Sequence, residues 1–180
     1  MEFTLLERIK IFIEYRDSLK KKDIAPFNEN STLKVLPDSD IAIELAKLLN
    51  DNSSHTILFL IKDSLLDFYP KNILRNSITY TFNDMNSLGM PRQIFVDKII
   101  KSRFENIVDL NTSFSRFGAY LTLFCNSKVR MGFNYDNSKK YYNVILDSNY
   151  QRDLNGTFKM IKQFINCLLY TSDAADDKCS

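Results

Sequence analysis

Glycine is scarce, with four residues in 180, and that leaves little from which to build a phosphate cradle. No P-loop, no G-x-G-x-x-G, no G-x-S-x-G and no H-E-x-x-H occurs. Three cysteines and one histidine do not make a metal site or a disulfide framework. Cys125 reads as a buried helix thiol and His55 as a loop residue ahead of an apolar strand. The apolar runs stay below the roughly 18 residues a spanning helix needs. Glu2, Glu7 and Arg8 interrupt the first apolar stretch, which excludes a secretory signal. A net charge of +2 demands no nucleic-acid partner. No internal repeat or low-complexity tract is present.

What remains is ordinary globular composition, 44% hydrophobic and 26% charged, enough for one domain with a real core. Residues 3–19 place Leu5, Leu6, Ile9, Phe12, Ile13 and Leu19 on one helical face, followed by Lys20, Lys21 and Lys22. Such a helix either packs on its own domain or lies on an anionic membrane surface through residues 3–22. Asp23 to Ser31, with Pro26, reads as a connection.

Alternation of short β-type runs with helical spacing then begins. Residues 33–36 (LKVL), 56–61 (TILFLI), 77–82 (SITYTF), 106–110 (NIVDL) and 129–131 (VRM) are predicted strands, with 142–146 a further candidate. TILFLI is apolar at consecutive positions, as a strand buried on both faces must be. Helices are expected over 41–50, over 64–69 up to Pro70, from Pro91 through Ile100, over 114–124 and over 154–165. Asp97 and Lys101 have the spacing of a helical ion pair. Residues 83–89 read as a polar loop and 134–140 as a flexible turn. This pattern predicts a doubly wound α/β domain with a mainly parallel sheet.

The stretch 104–136 organises the rest. Ile107, Val108 and Leu110 form a buried strand. Asn111, Thr112 and Ser113 supply capping oxygens. Phe114, Phe117, Tyr120, Leu121 and Phe124 make the next helix face, and Gly118 with Ala119 leaves room for close packing. Val129, Met131 and Phe133 then alternate as a strand.

Glu105-Asn106-Ile107-Val108-Asp109-Leu110-Asn111 and Asn126-Ser127-Lys128-Val129-Arg130-Met131-Gly132-Phe133 together resemble two linked motifs of the bacterial heptosyltransferases, glycosyltransferase family 9. The resemblance covers about residues 32–146. It implies a Rossmann-like three-layer domain, the N-terminal, acceptor-side half of a GT-B enzyme. Such an enzyme moves a sugar from a nucleotide donor to a lipopolysaccharide-type, lipid-linked glycan. The protein would then be cytoplasmic and able to touch the inner membrane, without cofactor or metal. Asp40 falls where the family places its base, with Ser39 in the place of the family glycine and no arginine after the strand. Ser39, Asp109, Asn111, Ser113 and Arg130 would line the acceptor cleft.

The residues themselves admit plainer roles. Asp38, Ser39 or Asp40 can cap the following helix, and Asp109 can cap the next one. Lys128 and Arg130 can form a solvated strand edge. A non-catalytic glycosyltransferase-like domain and a flavodoxin-like binding domain remain as alternatives. Residues 1–31, 32–166 and 167–180 divide the chain. The last segment, CLLYTSDAADDKCS, resembles translated sequencing-adapter readthrough. That resemblance implies a gene continuing past Asn166 and a fragment that transfers no sugar by itself; the alternative is a flexible acidic terminus.

Overall fold

The computed structural model describes residues 4, 6, 32–37, 57–102, 104–125, 127–147, 153, 155–157, 159, 160 and 163. The expected helix over 41–50, most of the N-terminal helix, residues Ser39, Asp40 and His55, and the segment 167–180 lie outside them. Leu6 is helical and exposed.

Six strands form one sheet: β1 (Thr32–Val35), β2 (Ile57–Lys62), β3 (Ser77–Tyr80), β4 (Asn106–Asp109), β5 (Val129–Phe133) and β6 (Val144–Leu146). Every pairing is parallel and the order is β3-β2-β1-β4-β5-β6. That order is the Rossmann one, so this is a Rossmann-like α/β domain. The chain winds outward from β1 in one direction and from β4 in the other. The reversal lies between these two strands, where Val35 is paired with Asp109 and the Leu110 amide donates to the Val35 carbonyl at 2.9 Å.

Alternate residues of the central strands β2 and β4 enter two separate cores, which is why TILFLI and NIVDL read as apolar at consecutive positions. One face carries Leu33, Val35, Leu60 and Ile107 beneath α2 (Gln93–Lys101) and α3 (Arg116–Phe124). The other carries Leu36, Phe59, Ile61, Val108, Leu110, Met131 and Phe133 beneath Tyr69 and Ile73, the latter from α1 (Lys71–Arg75). On the first face Tyr80 stacks on Phe117 at 4.0 Å, and Phe95 closes on Phe117 at 5.5 Å. This aromatic trio joins β3, α2 and α3.

Several local expectations differ from the structure. Residues 63–68 form a 3-10 helix, and Pro70 does not merely stop it. Pro70 also opens α1, its carbonyl accepting from the Ile73 and Leu74 amides. β3 ends at Tyr80, because Thr81 turns into a capping box: its side chain accepts from Asn83, and its amide donates to Asp84 at 2.7 Å. Pro91 bridges to Met85, so α2 starts later, after Arg92. Asp97 accepts from Gln93 at 3.0 Å. β5 extends through Phe133, as the alternation of Val129, Met131 and Phe133 predicts, but β6 starts only at Val144, because a 3-10 turn at Ser138–Lys140 holds the Tyr141 and Tyr142 amides on the Ser138 carbonyl. The described residues between 155 and 163 are helical, as expected of the last helix.

Phe117→Ala would empty the centre of the aromatic trio. Its urea midpoint should fall by the equivalent of about 3–5 kcal/mol with an unchanged m-value. A loss within ~1 kcal/mol would mean that α3 is not fixed by this contact.

Candidate functional site

Open α/β sheets receive ligands at the carboxyl ends of strands, where the winding reverses. Here that mouth is framed by Val35, Leu36 and Pro37 from β1 and by Asp109, Leu110 and Asn111 from β4.

Asp109 is fully buried at the end of β4, on the face covered by α3. An ionised carboxylate there loses several kcal/mol of hydration unless donors replace the water. The local chain provides them. One carboxylate oxygen accepts from the Asn111 amide at 3.1 Å and from its Nδ2 at 2.6 Å. The other accepts from the Tyr142 hydroxyl at 2.6 Å. The Tyr142 oxygen in turn accepts from the Tyr135 hydroxyl at 2.9 Å. Two glycines make this geometry fit. A Cβ on Gly118 would stand 2.5 Å from an Asp109 oxygen, and one on Gly132 would overlap the Tyr142 ring.

Burial, then the negative charge of Asp109, push the Tyr142 phenol far above the ordinary tyrosine range. Tyr135 is raised by the same causes, burial first, with its bond to Tyr142 pulling the other way. Both hydroxyls therefore keep their protons through the whole neutral range, and the carboxylate is their terminal acceptor.

The structure brings Asp109 and Asn111 into direct contact, but in a role different from capping α3. That cap is Ser115, which accepts from the Gly118 amide at 3.2 Å. Asn111 cannot serve, because its side chain is drawn back onto Asp109. Ser113 is exposed on the surface beyond Asn111. Arg130 is in register with Ile107, two residues short of Asp109, or roughly 6.6 Å down the sheet. Its peptide amide donates to the Asn143 side chain at 2.7 Å, and its Nε is buried without a hydrogen-bond partner. Lys128 is exposed. Ser39 and Asp40 follow Pro37 in sequence and lie outside the described residues.

Tyr142, Tyr135 and Gly118 are the residues of this arrangement that sequence reasoning did not assign to it. The pair Tyr135 and Tyr142 carries no local signal, since its anchor is 33 residues away in the chain. Cys125 has its thiol pushed up to about 12 by burial, so it is no nucleophile near neutral pH. Among the described residues, no group of three His, Cys, Asp or Glu side chains could hold a metal ion. Among them, too, no helix is long and apolar enough to cross a membrane.

No family model, no curated protein and no solved structure matches the chain. The mouth must be read on its own chemistry. Asp109 is fully buried and engaged by donors from its own chain, and it orients the groups around it.

Three measurements test this arrangement. Tyr142→Phe removes the donor from Asp109 and strands a buried oxygen, which should cost about 1–3 kcal/mol. Gly118→Ala should cost a similar amount through steric overlap with the carboxylate. The pH dependence has a definite sign. Above the ordinary tyrosine value of 10.0 the unfolded chain releases the Tyr142 proton and the folded chain keeps it. Stability is therefore complete below that pH and falls above it, by about 1.4 kcal/mol per pH unit for each such tyrosine. Denaturation between pH 9 and 11 should show this slope, reduced in Tyr142→Phe; an equal slope in both proteins would remove Tyr142 from the chain.

Proposed function

We propose that this domain is the acceptor-side half of a glycosyltransferase of the heptosyltransferase kind. It would hold an anionic, lipid-linked glycan while a second domain presents a nucleotide sugar. The observation that carries the reading is the position of Ile107-Val108-Asp109-Leu110-Asn111: this motif ends at the reversal point of an all-parallel sheet, where an acceptor would enter. In this reading Asp40, just after β1, takes the proton of the attacking hydroxyl. Asn111 and Ser113 contact the acceptor and Asp109 fixes Asn111. A basic N-terminal segment at the membrane face would suit a lipid-linked acceptor.

A second reading, a non-catalytic sugar-binding domain, is favoured by the commitment of Asp109 to Asn111 and Tyr142. It is also favoured by Ser39 in place of the family glycine.

An anionic inner-core oligosaccharide titrated into the chain should shift the amide resonances of residues 111–113, while a nucleotide sugar should shift none. Binding of the nucleotide sugar without the oligosaccharide would contradict the acceptor-side assignment. In a protein joining this domain to a donor domain, Asp40→Asn keeps a capping oxygen and removes the base. Transfer should fall by roughly 10²–10⁴-fold with stability nearly intact. Unchanged turnover would take Asp40 out of the mechanism and favour the second reading.

A further inference from the structure

The hydrogen-bond chain ending on Asp109 has a direction, and that direction selects a ligand. Asp109 accepts through both oxygens, so the Tyr142 hydroxyl must donate to it. The Tyr142 oxygen is then the acceptor for the Tyr135 hydroxyl. Tyr135 thus spends its one hydrogen inward, and its oxygen keeps only lone pairs for anything else. No described residue donates to that oxygen. The ring is held from two sides, edge-on to Phe114 at 5.3 Å and to Tyr142 at 5.9 Å. Tyr135 is half-buried and lines an open depression of about 610 Å³, bordered among the described residues by 134–140. Asn134, Asp136, Asn137 and Lys139 line the same space.

We infer that the 134–140 loop is a binding subsite for a neutral polyhydroxyl ligand, a sugar ring, which donates a hydroxyl to the Tyr135 oxygen. Neighbouring hydroxyls of one sugar ring can donate, one to Tyr135 and another to Asp136, while accepting from the Asn134 and Asn137 amides or from Lys139. A phosphate has Lys139 and Lys140 to attract it, but would set acceptor against acceptor at Tyr135 and charge against charge at Asp136. The inference deepens the transfer reading by naming the ligand chemistry on the β5 side of the sheet. It is read on a neutral sugar and on a different set of amides, so either can fail without the other.

The fixed polarity can be inverted. In Asp109→Asn the amide oxygen must stay where Asn111 donates through its backbone N–H and Nδ2. The new NH₂ then faces Tyr142, both phenols reverse, and Tyr135 offers its hydrogen outward.

The experiment follows the 134–140 amide resonances while D-mannose or inorganic phosphate is added. Wild type should respond to mannose and not to phosphate. Tyr135→Phe, which keeps the ring contacts, should bind mannose about 3- to 10-fold more weakly, the loss of one hydrogen bond. Asp109→Asn should begin to respond to phosphate. A wild-type loop that responds to phosphate as it does to mannose, or ignores mannose, overturns the inference. So does a Tyr135→Phe protein that binds mannose undiminished, whether or not Asp109→Asn folds. A folded Asp109→Asn protein that still ignores phosphate overturns the polarity argument.

Discussion

A carboxylate without water needs donors, and the upper half of this sheet is arranged around that need. Asp109 closes β4 beside the strand at which the winding reverses. Its two oxygens draw in Asn111 from the next loop and Tyr142 from beyond β5. The first bond bends the chain away from an immediate helix start, which shifts the cap to Ser115. The second fixes the segment between β5 and β6, since Tyr142 can reach the carboxylate only across Gly132. Removing the partners would leave a buried charge with an uncompensated desolvation cost, so carboxylate, amide and phenol form one unit.

The aromatic residues continue that unit outward. Tyr141 lies edge-on to Tyr120 at 5.2 Å and close to Phe114 at 5.7 Å, so α3 and the β5–β6 connection share one apolar seam. Pairs of this kind add about 0.5–1.5 kcal/mol each beyond the area they bury. On the far side, the Tyr80–Phe117 stack fixes α3 against β3. The helix that carries Gly118 is therefore held from two sides around that glycine, which keeps the close approach to Asp109 from relaxing.

Much of the fold was legible because parallel strands buried on both faces leave a direct mark. TILFLI and NIVDL could hardly be anything else, and Thr32–Val35 and Val129–Phe133 fall within two residues of expectation. The strand order was not legible, since nothing in the local spacing says which strands become neighbours. Thr81 and Asp84 have the spacing of a capping box, a readable signal that SITYTF, taken as one strand, concealed. Pro70 reads as a stop after 64–69, but a proline at a helix boundary serves equally as a start. At the site, Asp109 and Asn111 stood out through their place in the strand-to-loop motif. Tyr142 did not, because its function depends on a glycine in a neighbouring strand and an acid 33 residues earlier.

Asp109, Tyr142 and Tyr135 form one directed chain of hydrogen bonds. Its most direct test is proton NMR of the two phenolic hydroxyls in water, with the Tyr142 signal assigned by its loss in Tyr142→Phe. Such a chain should give hydroxyl resonances that exchange slowly enough to be seen, with a cross-relaxation contact between the Tyr142 and Tyr135 hydroxyl protons and one from the Tyr142 hydroxyl to the Gly118 α-protons. Hydroxyl signals averaged into water, with no contact between the two residues, would contradict it.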